Sequence, residues 1–139
     1  MIEAKENFNN TWPFNPNFFS GNGFKQHYVD EGKENNKVIL CLHGEPTWGY
    51  IYRHFIKELS KNFRVVVPDL MGFGKSETPK NKEYSLKTHV ENLENLVNYL
   101  ELKNIYFVGQ DWGGPILGAY TLRNLTNTKG MFLINTIFG

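Results

Sequence analysis

The stretch that most constrains this chain is Gly109-Gln110-Asp111-Trp112-Gly113, which follows directly on the apolar run Ile105-Tyr106-Phe107-Val108. A short run of β-branched and aromatic residues suits a strand buried on both faces of a parallel sheet. Glycines two places before and two places after Asp111 give the spacing Gly-x-nucleophile-x-Gly of the nucleophile elbow, a strained strand-to-helix turn that lifts one side chain above the sheet. Strand and helix backbones approach too closely there for a Cβ, which accounts for the glycines. The lifted residue is an aspartate, not a serine.

An aspartate at that point selects a chemistry. A serine hydroxyl needs a base to take its proton before it attacks, whereas an aspartate with a reference pKa of about 3.9 is ionised at neutral pH. It is a ready nucleophile for a saturated carbon. Trp112 carries an indole N–H that can only donate, and beside the attacking carboxylate it can hold an anionic leaving group such as a halide. The bland alternative is that Asp111 merely caps the following helix. A plain cap leaves the paired glycines unexplained.

Three motifs together resemble the haloalkane dehalogenases of the α/β-hydrolase superfamily: Gly-Gln-Asp-Trp-Gly-Gly at 109–114, His-Gly-Glu-Pro-Thr-Trp at 43–48 followed by Tyr50-Ile51-Tyr52-Arg53, and Pro-Asp-Leu-Met-Gly-Phe-Gly-Lys-Ser at 68–76. The third is shared across much of the superfamily, and Asp-Trp-Gly-Gly also occurs in epoxide hydrolases. The combination with His-Gly-Glu-Pro-Thr-Trp discriminates. The resemblance implies Asp111 as catalytic nucleophile, the backbone N–H groups of Glu45 and Trp112 as an oxyanion hole, and the Trp112 indole as halide donor. Relatives with asparagine at the Glu45 position use its side chain as second halide donor; an ionised glutamate offers only acceptors. In relatives with glutamate, a tryptophan of a cap domain does that job.

Composition bounds the remaining possibilities. The chain has 139 residues, 40% hydrophobic and 21% charged, as expected of one soluble globular domain. A net charge of +1 with no basic run implies neither nucleic acid nor an anionic membrane as partner. The expected partners are a small neutral haloalkane, water and the halide product, with no cofactor and no metal. Cys41, the single cysteine, sits inside the apolar run Val38–Leu42 and reads as a small core residue. No secretory or membrane-spanning segment is recognisable, which argues for the cytoplasm.

Along the chain, residues 1–23 read as an aromatic arm, irregular in its ring-rich part, and 24–139 as a partial α/β-hydrolase core with a mostly parallel sheet and flanking helices. Strands are expected at 24–29, 37–42, 64–67, 105–110 and 130–135, and helices at 50–60 and 112–124. Ser85 caps a third helix with Leu86, Val90, Leu93, Val97 and Leu100 on one stripe. Gly74-Lys75-Ser76 mimics the end of a phosphate-binding loop, but Asp69 stands where that motif needs glycine, so a tight turn is the better reading. His43 shapes its loop, and His89 reads as a surface or boundary residue.

Hydrolysis of an aspartyl ester needs a base to activate water, and superfamily order places acid and histidine after the nucleophile. All four histidines, His27, His43, His54 and His89, precede Asp111. The chain therefore reads as the N-terminal half of a haloalkane dehalogenase, with cap domain and late strands absent, and inactive alone. An epoxide hydrolase is the enzymatic alternative, and a non-catalytic α/β protein or binding module the alternative from another class.

Overall fold

The computed structural model describes residues 1–137; Phe138 and Gly139, the end of the expected core range, lie outside the described residues. Six strands form one sheet in the order β1-β2-β4-β3-β5-β6: β1 (Asn17–Phe19), β2 (Gln26–Glu31), β3 (Val38–Leu42), β4 (Arg64–Pro68), β5 (Ile105–Gln110) and β6 (Thr128–Ile134). β1, β2 and β4 pair antiparallel, and β4, β3, β5 and β6 are parallel neighbours. The helices are α1 (Arg53–Leu59), preceded by a 3₁₀ turn at Gly49–Tyr52, α2 (Leu86–Tyr99) and α3 (Gly113–Arg123).

Alternation along the strands divides the core. Leu40 and Leu42 of β3 and Ile105 and Phe107 of β5 point to one face, where Val90, Leu93, Leu96 and Val97 of α2 and Ile116, Leu117 and Tyr120 of α3 cover them. Ile39, Cys41 and Val108 point to the other, against Ile56 of α1, Tyr52 and Trp12. Strands buried on both faces read as unbroken apolar runs for this reason. Cys41 is fully buried and its thiol is pushed up by desolvation, as a core residue requires.

Several expectations are amended, among them the start of the last strand, which is Thr128 and not 130. Leu86, placed on the buried stripe of α2, is exposed at the first residue of the helix, and Leu96 is buried in the core. The expected start of the 24–29 strand shifts to Gln26, and Asp30 and Glu31 extend it, since Asp30 is held by a two-pronged Arg64 contact at 2.9 and 2.7 Å. Ser85 caps α2 as expected, its Oγ accepting from Thr88 N–H at 3.2 Å.

The aromatic arm is built into the sheet's periphery. Asn17–Phe19 pairs as the edge strand β1 rather than remaining irregular, and Trp12 is 1% exposed, packed on Phe14 and Trp48 at ring separations of 4.9 Å. Lys75, buried, spends its ammonium on the carbonyls of Ala4 and Glu6 at 2.8 and 2.7 Å. A lysine so engaged tethers the arm and is not free to meet a phosphate.

Candidate active site

The connections after β3 and β5 leave in opposite directions, towards α1 on one face and α3 on the other. Such divergence opens a crevice at the carboxyl ends of two adjacent strands, the place where ligands bind in open α/β sheets. The loop carrying Glu45 and the turn carrying Asp111 form its two lips.

Asp111 stands at the pivot with φ +53°, a left-handed conformation that is unfavourable for a residue with a Cβ. Both flanking glycines are needed. A Cβ on Gly109 would lie 2.8 Å from Leu117 Cδ1 and 3.2 Å from Gly113 C, and one on Gly113 would run into the backbone of Leu42. The strained turn is held from the other side by the two residues that follow β6, through Asp111 N–H to Asn135 O at 3.2 Å and Thr136 Oγ1–H to Asp111 O at 2.5 Å.

The Glu45 N–H donates to Asp111 Oδ2 at 2.9 Å. That contact requires Gly44, since a Cβ there would strike Asp111 Oδ2 and lie 2.6 Å from Trp112 N. The carboxylate thus has one oxygen on a backbone donor at the mouth of the crevice, and among the described residues Oδ1 accepts no hydrogen bond. Trp112, 49% exposed, presents its indole at the same mouth.

His43 is fully buried, and both ring nitrogens are in use. Its Nε2 accepts from Leu70 N–H at 2.9 Å, which leaves the proton on Nδ1 to be donated to Gly44 O at 2.7 Å. Desolvation, only partly opposed by Asp69, lowers its pKa and keeps it neutral. It pins the Glu45 loop to the turn after β4 and is not placed to act as a base.

That turn is organised by Asp69, to which the sequence assigns no structural role beyond excluding a phosphate-binding loop. Buried completely, it accepts from Gly49 N–H at 2.8 Å, Lys75 N–H at 2.9 Å and His27 Nδ1 at 2.9 Å. Gly74 (φ +55°) gives the carboxylate room. The glycines and the Pro-Asp pair were signals for this role, but a hub of three donors from separate segments is a tertiary fact.

His89 is half-buried, a boundary residue as expected. It borders a cavity of about 90 Å³ with Glu45, Leu70, Tyr84, Ser85, Leu86, Trp112 and Ile116. Among the described residues no cluster of three or more side chains could hold a metal, and no helix is long and apolar enough to cross a membrane.

Residues 37–138 match the family model for the alpha/beta hydrolase fold. The chain is 39% identical over 127 residues to haloalkane dehalogenase 2 of Mycobacterium tuberculosis H37Rv, covering 91% of this chain and 44% of that protein. Among solved structures, a haloalkane dehalogenase from Paraglaciecola agarilytica NO2 superposes with a TM-score of 0.87 at 38% identity, over 93% of this chain and 46% of that one. An epoxide hydrolase from Vigna radiata superposes at 0.83 with 29% identity, over 91% and 41%. The chain therefore spans less than half the length of the proteins it matches.

Proposed function

Because the chain belongs to the α/β-hydrolase fold family, we propose that its elbow aspartate, Asp111, is the nucleophile of a haloalkane dehalogenase, forming an alkyl ester and expelling halide. The observation that carries this reading is the Glu45 N–H on Asp111 Oδ2. With Oδ2 so held, Oδ1 is the oxygen available to attack carbon. When water later adds to the ester carbonyl, charge develops on Oδ2, where the Glu45 amide already points and where that of Trp112 completes the pair. A donor so placed is worth about 2.7 to 4 kcal/mol in the transition state.

The departing halide is held by the Trp112 indole. Glu45 adds no second donor from its side chain, so the second donor comes from a cap of the kind the resembled enzymes carry. The substrate class is small, neutral haloalkanes, and the chemistry needs no cofactor. The test is direct: incubate the chain with a reactive bromoalkane and weigh the intact protein. One alkyl adduct is expected, mapped to Asp111 and missing in Asp111→Asn. No adduct on Asp111 in a folded chain would refute the reading.

Epoxide hydrolysis is the second reading, favoured by the likeness to the Vigna radiata enzyme and by an Asp-Trp-Gly-Gly turn common to both groups. Attack by Asp111 on an epoxide carbon would form a hydroxyalkyl ester. It predicts an adduct with an epoxide probe and none with a bromoalkane.

A further inference from the structure

The aromatic arm carries a strain that covering the core does not explain. Phe8, Asn9 and Asn10 follow one another at φ +48°, +57° and +66°, in the left-handed region that residues with a Cβ enter at a cost, and a phenylalanine there is an outlier. Trp12, 1% exposed, is the arm's contribution to the core, whereas Phe8 is 37% exposed and lies outside both core clusters. The turn is nevertheless held closed. Trp12 N–H donates to Asn7 O at 2.9 Å, Thr11 Oγ1–H to Phe8 O at 2.7 Å and Phe8 N–H to Glu6 Oε1 at 2.8 Å. Strain that neighbours over-determine in this way clusters where it serves a site.

What the strained turn aims is the Phe8 ring. Its centroid lies 5.7 Å from that of Trp48 and 5.6 Å from that of Tyr50, and Trp48 and Tyr50 stack on each other at 5.5 Å. Because the Thr11 hydroxyl proton goes to Phe8 O, the Tyr50 hydroxyl donates to Thr11 Oγ1, at 2.7 Å. Trp48 directly follows the turn that carries Glu45. Thr47 N–H and Thr47 Oγ1–H both donate to Gly44 O, at 3.2 and 2.9 Å, so residues 44–47 move as one unit. Upstream of Phe8 the arm is fastened to the turn after β4, by Ile2 N–H on Gly74 O at 3.0 Å and by the Lys75 ammonium on Ala4 O and Glu6 O. Glu45 and Pro46 are themselves exposed and have no packing of their own to fix them. From this chain of contacts we infer that Phe8 is a positioning residue: anchored through Lys75, it holds Trp48 in place and thereby keeps the Glu45 N–H on Asp111 Oδ2. The inference rests on Asp111 being the nucleophile, and extends the machinery that orients it to an arm outside the crevice.

In the test, the 139-residue chain is treated with 1-bromobutane at a series of concentrations, and growth of the Asp111 adduct by intact mass is separated into a limiting rate and a half-saturating concentration. Phe8→Ala should lower the limiting rate about three- to tenfold, short of the roughly 10²-fold that a full 1 Å misplacement can cost, and leave the half-saturating concentration unchanged. Phe8→Tyr, which keeps the ring, should restore the rate. The second readout is hydrogen exchange at the Glu45 amide, followed by NMR. On an exposed residue that amide owes its protection to Asp111, so its exchange should quicken about three- to tenfold in Phe8→Ala while the amides of β3 and β5 keep theirs. A merely structural phenylalanine would lower the urea midpoint and quicken exchange in the strands as well, without singling out Glu45. Thr11→Val, which removes the contact with the Tyr50 hydroxyl from an exposed position, is the second variant should Phe8→Ala not fold, and the same direction is expected of it. Unchanged exchange at Glu45 in a folded Phe8→Ala or Thr11→Val chain, or a Phe8→Tyr chain as slow as Phe8→Ala, overturns the inference. Exchange is read without a bromoalkane, so the absence of any adduct in the parent chain sinks the nucleophile reading and leaves the hold on Glu45 to be decided by exchange.

Discussion

The Glu45 N–H and Asp111 Oδ2 meet at 2.9 Å although 66 positions separate them in the chain, and the glycine before Glu45 is what allows the approach. Gly44→Ala should therefore push the loop and the carboxylate apart without disturbing the strands beneath. A misplacement of about 1 Å at a reacting group can cost about 10²-fold in rate. The rate of adduct formation on Asp111, measured by intact mass, is expected to fall by about that factor while far-ultraviolet circular dichroism is unchanged. An undiminished rate would remove the Glu45 amide from the site.

Trp112 offers the halide one charge-assisted bond. Such bonds are worth about 1.5 to 3 kcal/mol, and an indole that is 49% exposed belongs at the lower end. Trp112→Phe should weaken bromide binding by about 1.5 kcal/mol, or roughly tenfold, as read by bromine or chlorine NMR line broadening. Equal affinity in both chains would leave the indole without a role and favour the epoxide reading.

Two desolvated histidines, one buried and one half-buried, set the acid limit of the fold. His43 and His89 both have pKa values below the ordinary 6.5, desolvation being the first cause in each. Between the lowered folded values and 6.5 the unfolded chain binds the proton and the folded chain does not, so stability is complete above pH 6.5 and is lost as pH falls below it. Each such group contributes up to about 1.4 kcal/mol per pH unit. The urea midpoint should be level from pH 8 to 7 and decline from 6.5 to 5.5, with a shallower decline in His89→Leu. A midpoint independent of pH across that range would contradict both assignments.

The local grammar of the site was readable before the fold. Gly109, Asp111 and Gly113 announced a strained turn, and the structure supplies it with φ +53° at Asp111. Strand β3 was legible because burial on both faces leaves an unbroken apolar run, and β5 carries the same run although Tyr106 is exposed on the face towards α1. What escaped the sequence depends on distant segments meeting. Asp69 gathers donors from positions 27, 49 and 75, and no local pattern encodes that convergence. Leu86 carries the periodicity of its helix yet is exposed at its first residue, so spacing alone assigned it to the core. His89 sits beside the apolar stripe, and only the placement of α2 against the Trp112 turn shows what it borders.

The far face of the sheet carries its own expectation. Phe55, Tyr106, Phe132, Leu133 and Ile134 border an apolar groove of about 510 Å³ beside α1, and β6 has β5 as its one strand neighbour among the described residues. Phe132 is 69% exposed. Exposed apolar patches and open strand edges promote association. The 139-residue chain should bind an apolar-surface dye and self-associate with rising concentration, and Phe132→Lys should reduce both. A monodisperse monomer that binds no dye would contradict this.

The last expectation concerns stoichiometry and follows from where the histidines lie. Asp111 needs no base to attack, but the ester it forms needs one to be hydrolysed. His43 has both nitrogens committed, His27 is buried with Nδ1 on Asp69, and His54 is exposed on α1, away from the crevice. With water poorly excluded from an open crevice, even the first step should be slow. The 139-residue chain by itself should release at most one bromide per molecule from a reactive bromoalkane, in step with the growth of the adduct on Asp111. Bromide measured by ion chromatography against intact mass over the same time course decides the point. Release continuing beyond one equivalent and lost in Asp111→Asn would overturn it, and would direct attention to His89, the histidine that borders the cavity beside Trp112.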